Sequence, residues 1–313
     1  MRRLRIGVIG RTEMLIEAAR RAQAEGHEIA LVATCKPSGH ELATVADFEA
    51  LAKASGAPFL RHRDLASEHG LDLVRQAQCD LAISMNWLTL IPAHVRALFA
   101  LGVFNAHPGD LPRYKGNACP NWAILNGEER VGLSIHQMED ELDGGAIVAK
   151  RFLALQASTT IADVYGWLRT SIPEAFGEMV AAAARGELRL TPQSTAPEDS
   201  LRCYPRRPED GKIDWQQPLA AIDRLIRASG HPFAGAFAWL EGTRKVTILA
   251  ACPVLPREPF LAIPGQVAYA VDGDPVIAAN GGYLRLTDLR VDGCVDATDA
   301  RNAVLSSLRN RLT

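Results

Sequence analysis

Two kinds of segment take turns along the first half of the chain. Residues 4–10 (LRIGVIG) form a short apolar run rich in Ile and Val, and residues 14–25 follow with helical spacing and a stop at Gly26. Residues 28–34 (EIALVAT) repeat the apolar run and residues 46–55 repeat the helical spacing, closed by Gly56. Residues 80–85 (DLAISM) read as another buried strand. Strands alternating with helices in this way predict a parallel sheet covered on both faces. Three further β-rich runs lie close together at 102–107, 131–138 and 146–153, and a long helix is expected from about Ile161 to Arg185.

The pattern then changes. Residues 186–200 are polar, carry Pro192 and Pro197 and hold no sustained period, as an exposed linker would. Beyond Cys203 there is one helical segment, 219–229, and then a series of short β-like runs punctuated by Gly, Asp and Asn at hairpin spacing. They predict a small β-barrel or sandwich. The expected fold is therefore α/β: a Rossmann-like, mostly parallel sheet domain over 1–190, a linker over 191–202, and a smaller β-rich, barrel-like (OB-like) domain over 203–313.

Composition narrows the class. With 48% hydrophobic and 22% charged residues, 25 Gly and 18 Pro, the chain is neither disordered nor collagen-like. Its 34 Lys plus Arg against 36 Asp plus Glu leave a net charge of −2, so no global basic field draws it onto nucleic acid. Cys35, Cys79, Cys119, Cys203, Cys252 and Cys294 are scattered, with no Cys-x-x-Cys pair and no metal-ligand spacing. They read as reduced packing residues, and no metal is expected. The apolar stretch between Arg5 and Arg11 is too short for a leader, and no window approaches a membrane span. A cytoplasmic protein is expected.

The opening strand suggests dinucleotide binding, but Gly10-Arg-Thr-Glu-Met lacks the second and third glycines of the Gly-x-Gly-x-x-Gly fingerprint, so NAD is not expected. Residues 102–127 (GVFNAHPGDLPRYKGNACPNWAILNG) are more informative. Asn105 and His107 stand two apart at the end of an apolar strand. If both are extended, their side chains share a face at the carboxyl edge, where open α/β sheets bind ligands. Taken alone they are a turn-forming amide and a surface imidazole. Asp143, on a Gly-rich turn before the next strand, is by itself an ordinary turn aspartate. Together the three could form a site in which the carboxylate orients the imidazole and the amide donates to a developing oxyanion.

The run Asn105-Ala-His107-Pro-Gly-Asp110-Leu-Pro112-Arg-Tyr114-Lys115-Gly116, followed by Asp143-Gly-Gly, closely resembles the active-site motif of the 10-formyltetrahydrofolate-dependent formyltransferases. That motif reads Asn-x-His-x-Ser-Leu-Leu-Pro-x-Tyr-Arg-Gly with a distal Asp. The resemblance covers nearly the whole chain. It implies Asn105 and His107 at the formyl group, Asp143 beside the imidazole, and 10-formyltetrahydrofolate as co-substrate. It further implies a folate site along Met85, Asn86, Trp87 and Leu88, with Asn117 nearby, and along Glu139, Asp140, Glu141 and Leu142. Gly109 and Asp110 stand where the family usually has Ser and Leu, and Lys115 where it usually has Arg, departures that bear on the acceptor. Asp110, Tyr114 and Lys115 are accordingly expected near the acceptor.

Two branches of that family compete. The methionyl-tRNA formyltransferases carry a basic Gly-Arg-Gly-Lys-type insertion after the second strand, where this chain has Lys36-Pro-Ser-Gly-His-Glu41. Residues 256–313 hold six Arg and seven Asp or Glu, a net of −1, which is no surface for a tRNA. Residues 121–128 and 204–215 look like the amino sugar nucleotide branch, whose paired arginines, here Arg206 and Arg207, would suit a diphosphate; a solvated surface pair is the alternative. The expected partner is a small-molecule amine, best a nucleotide-linked amino sugar, with methionyl-tRNA as the alternative acceptor and no membrane. His107 would either take the amine proton or stabilise the oxyanion as imidazolium. A hydrolase releasing formate from the same co-substrate is the third possibility.

Overall fold

A computed structural model describes residues 2–39, 41–256, 258 and 260–313. The first half runs β1 (Arg5–Gly10), α1 (Glu13–Ala24), β2 (Glu28–Thr34), α2 (Val45–Ser55), β3 (Phe59–Arg61), α3 (Glu68–Ala77), β4 (Leu81–Met85), α4 (Ala93–Arg96), β5 (Gly102–His107), β6 (Lys115–Gly116), α5 (Cys119–Asn126), β7 (Arg130–Gln137), β8 (Ile147–Ala154) and α6 (Ile161–Arg185). There follow β9 (Arg202–Cys203), α7 (Leu219–Ser229), β10 (Ala236–Leu240), β11 (Arg244–Val254), β12 (Val267–Val271), β13 (Asp274–Ala279), β14 (Gly282–Val291) and α8 (Ala297–Leu305). The chain divides into two compact units. The first comprises Met1–Cys119, Arg130–Leu153 and Tyr165–Tyr204, and the second Pro120–Glu129, Ala154–Val164 and Pro205–Thr313.

The first unit is built on a seven-stranded sheet of order β3-β2-β1-β4-β5-β7-β8. The pairs β2/β3, β1/β2, β1/β4 and β4/β5 are parallel, whereas β5 and β7 are antiparallel. Central strands have a neighbour on each side and are covered on both faces, so nearly every side chain must be apolar; Ile6, Val8, Ile9, Leu81, Ala82 and Ile83 are fully buried. Helix starts follow local chemistry. The Thr12 hydroxyl accepts from the Leu15 amide at the head of α1, and Thr44 with Asp47 forms a capping box on α2. Gly10 has a packing role: a Cβ there would lie 2.3 Å from the Met85 carbonyl oxygen, so only glycine lets β1 close on β4. Strand order reverses at β1, which places Gly10, Met85 and His107 along one carboxyl edge beside the switch point.

Residues 191–202, expected as a linker, are tied into the first unit by hydrogen bonds. Thr191 bridges to Ile147, the Gln193 side chain donates to the carbonyls of Asp143 (2.8 Å) and Gly145 (2.7 Å), and β9 pairs in parallel with β6. Such a segment has no apolar period because it attaches through polar groups. The short elements β3, α3, α4, α5 and α8 also lie outside the expected set. In α3 the sequence EHGLDLVRQA is amphipathic but short, and an interior glycine lowers its helix propensity.

The second unit is a five-stranded antiparallel sheet of order β10-β11-β14-β13-β12. Its two edges meet through the last residues of the chain. Leu312 bridges Leu240 at the end of β10, and Arg311 bridges Gln266 beside β12, which makes the sheet barrel-like. Ile222 and Ile226 of α7 and Val304 of α8 join Ile248, Ile277, Leu284 and Leu289 in one apolar core. No helix among the described residues is long and apolar enough to cross a membrane.

Candidate active site

The β5/β7 register assembles the site. Asn105 pairs with His136 and His107 with Ser134, so the polar residues at alternate positions of two neighbouring strands fall side by side. Asp143 arrives on the tight turn after β7 with a left-handed backbone, φ 56°. That turn folds back on β7 so closely that a Cβ at Gly145 would lie 1.9 Å from the Gln137 carbonyl oxygen.

All three expected polar residues are brought together. His107 is 5% exposed and Asp143 8%. Asp143 Oδ2 accepts from the Gly116 amide at 2.7 Å and lies 3.6 Å from His107 Nδ1. The other ring nitrogen, Nε2, is 2.6 Å from the Tyr114 carbonyl oxygen, which also accepts from Cys119 Sγ at 2.9 Å. A carbonyl can only accept, so His107 Nε2 carries a proton.

His136, absent from the expected set, belongs to the same cluster. It is 2% exposed; its Nε2 lies 3.2 Å from Asn105 Nδ2 and 3.6 Å from Asp143 Oδ1. Its ring meets that of His107 edge-on at 6.2 Å. Burial, helped by the neighbouring His107 and opposed by Asp143, lowers its pKa to about 4, so the ring is neutral at neutral pH. The signal for it was a lone histidine in an apolar strand, GLSIHQM, which reads as core until the partner strand is known.

The remaining expected residues divide. Met85 is buried, its sulfur accepting from the Thr12 hydroxyl. Asn86, at φ 54°, donates to Glu41 Oε1, and its carbonyl accepts from Arg11. Glu41 also pairs with Arg11 at 3.3 Å, both side chains nearly buried; His40 beside it lies outside the described residues. Trp87 packs on the apolar core, yet its Nε1 is buried without a hydrogen-bond partner, as is Ser84 Oγ on the strand position paired with Asn105. Trp87 also lines an open cavity of about 410 Å³ with Arg63, Leu65, Thr89 and Ile91. Leu88 and Leu142 are exposed large apolar side chains. Glu139 and Asn117 are exposed; Asp140 pairs with Arg96 and Glu141 with buried Lys115 at 2.9 Å.

Asp110, expected near the acceptor, makes two ion pairs. Its carboxylate is occupied by Arg130 Nη2 at 3.0 Å and by Lys150 Nζ, because it stands at the β7 and β8 side of the loop. Arg206 and Arg207 belong to the second unit, and they do not form a matched pair of free guanidiniums. Arg206 donates to the Asp210 carbonyl and the Ser229 hydroxyl and lies over the Trp122 ring, while Arg207 is exposed. Among the described residues no group of His, Cys, Asp and Glu side chains is arranged to hold a metal ion.

These features define a class. Residues 4–180 match the formyl transferase family and residues 206–302 match the formyl transferase C-terminal domain. The chain belongs to the formyl transferase family. Solved structures share its fold at low identity. HypX from Aquifex aeolicus in complex with tetrahydrofolic acid superposes with a TM-score of 0.64 at 20% identity, covering 92% of this chain and 44% of that one. This chain therefore spans less than half the length of HypX. An N-formyltransferase from Helicobacter canadensis, in complex with folinic acid and dTDP-3-aminofucose, gives 0.63 at 13% identity over 92% of this chain and all of that one. A 4-N formyltransferase from Francisella tularensis gives 0.58 at 18% identity, covering 75% and 91%.

Proposed function

We propose that this protein moves a formyl group from 10-formyltetrahydrofolate to the primary amine of a small molecule, with an amino sugar carried on a nucleoside diphosphate as the acceptor. The convergence of Asn105, His107 and Asp143 at the carboxyl edge of the sheet carries this reading. When bound, the folate supplies an activated formyl carbon. The Asn105 amide donates to the formyl oxygen as it gains negative charge, a contact of the kind that contributes roughly 3 to 4 kcal/mol to the transition state. The amine nitrogen bonds to the formyl carbon as the carbon's bond to the folate nitrogen breaks, and the amine loses a proton as the folate nitrogen gains one.

The surroundings of His107 favour one of its two conceivable roles. Nε2 is held by the Tyr114 carbonyl at 2.6 Å and carries a proton, so that nitrogen is not free to take one from an incoming amine. A ring held in this way, with Asp143 beside it, suits stabilisation of the developing oxyanion better than proton abstraction from the amine. The buried, unpartnered Ser84 Oγ and Trp87 Nε1 suit a heterocycle rich in donors and acceptors such as a pterin. They would hold it beside Asn105, with the backbone of residues 85–88 and 139–142.

The amino sugar nucleotide reading rests on charge. The chain offers no basic surplus for a tRNA, whereas Arg207 is exposed for a diphosphate and Arg206 stands beside it in sequence. Among the proteins similar in fold, one is a sugar 3N-formyl transferase and another is in complex with dTDP-3-aminofucose. The test is to incubate the protein with 10-formyltetrahydrofolate and, in turn, amino sugar nucleotides, free amino sugars, amino acids and methionyl-tRNA, following formylated product by mass. Formylation of an amino sugar nucleotide is the expected result. Efficient formylation of methionyl-tRNA alone would transfer the assignment to that branch, and formate release without any amine would make the protein a hydrolase.

A further inference from the structure

One buried polar group near the trio is left without a task in the reaction above. His136 faces Asn105 across the β5/β7 pairing, with Nδ1 3.0 Å from the backbone carbonyl of Gln137 and Nε2 3.2 Å from Asn105 Nδ2. The Gln137 carbonyl can only accept a hydrogen bond, so the proton of the neutral ring sits on Nδ1. Nε2 is then a lone pair, and the partner it finds is an amide N–H. The titratable groups facing the ring are His107 and Asp143, the latter 3.6 Å from Nε2, too far to draw the proton there by a hydrogen bond.

We propose that His136 is a positioning residue: its Nε2 accepts one N–H of the Asn105 carboxamide and so aims the other N–H at the reacting carbonyl. The reason such a device is needed lies in the amide itself. The last torsion of an asparagine is broad and roughly two-fold, so an untethered carboxamide samples both faces and presents oxygen to the substrate as readily as nitrogen. An oxygen facing the developing oxyanion would repel it. A neutral imidazole fixed by a main-chain carbonyl admits only the orientation with Nδ2 toward the ring, and desolvation keeps the ring from becoming a competing donor. Preorganisation of this kind lowers the barrier without touching the substrate.

This inference rests on the role given above to Asn105, and two measurements separate its failure from failure of that role. The first needs no turnover. In ¹⁵N-labelled protein, the His136 ring should be neutral at pH 7 with Nδ1 protonated, and His136→Leu should shift the Asn105 side-chain amide resonances while His136→Gln, which keeps an acceptor, should shift them less. A ring protonated on Nε2, or an Asn105 amide indifferent to His136→Leu, would overturn the proposal whatever the reaction turns out to be.

The second is a double-mutant cycle on kcat with the acceptor found active. His136→Leu should lower kcat by about 10- to 100-fold with the KM for the folate nearly unchanged, and His136→Gln should restore most of it. In an Asn105→Ala background the same substitution should cost less than about twofold, since a residue acting through Asn105 has nothing left to position. A full additional loss in that background would show a merely structural role and sink the idea. Wild-type protein that formylates no amine would instead refute the proposed reaction, and the resonance experiment would still decide the hydrogen bond.

Discussion

Gly109 and His107 fit together only because Gly109 has no side chain. A Cβ at residue 109 would lie 2.5 Å from His107 Nε2 and 2.4 Å from the Tyr114 carbonyl oxygen that caps it. The family motif usually carries serine here, so this chain departs from the motif where the loop lies closest to the imidazole. Gly109→Ala should force the loop away from the ring and lower kcat by about tenfold or more, because misplacing a group by roughly an ångström costs rates of that order or beyond. An unchanged kcat would show that the Tyr114 contact has no part in turnover.

His107→Ala should abolish measurable transfer while folate affinity stays within about tenfold, since the imidazole is assigned to the transition state. Asn105→Ala and Asp143→Ala should behave alike. Retention of more than about a tenth of the wild-type rate by His107→Ala would remove the residue from the mechanism. Binding is read by titrating the folate, transfer by product mass.

His136 makes stability depend on pH in a defined direction. Its folded pKa is lowered from 6.5 to about 4, so below 6.5 the unfolded chain takes up a proton that the folded site refuses. Stability from this group is therefore intact above 6.5 and declines as pH falls toward 4. The loss between pH 7 and pH 4.5 should be on the order of 2 kcal/mol. Denaturant unfolding of wild type and His136→Gln across that range isolates it: the difference between the two should change with pH. Parallel profiles would contradict the buried neutral ring.

Asp110 is engaged by Arg130 and Lys150 at the sheet edge. Asp110→Leu should thus leave the acceptor KM within about twofold and cost stability of about 1 kcal/mol or less, the scale of a partly exposed ion pair. A large rise in the acceptor KM would instead support a place for Asp110 at the acceptor.

The longer strands and helices of the first unit, the span of α6, the hairpin-spaced strands of the second unit and the polar triplet were legible in the chain, because hydrophobic period and a dense local motif are properties of neighbouring residues. The motif 105–116 is contiguous, and Asp143 stands out by its glycines. His136 was not legible. Nothing in GLSIHQM marks its histidine until the β5/β7 register sets it opposite Asn105, and register is settled by packing across the sheet. Residues 191–202 were equally opaque, since Gln193 acts through two hydrogen bonds to the Asp143 turn that leave no trace in hydrophobic spacing. The same holds for Asp110, whose sequence neighbours are the active-site loop but whose partners, Arg130 and Lys150, come from β7 and β8. Local sequence determined the longer elements and marked a set of polar candidates. Only the tertiary structure decided which side chains meet, because hydrogen bonds and ion pairs between distant segments depend on strand register and turn geometry that no single segment encodes.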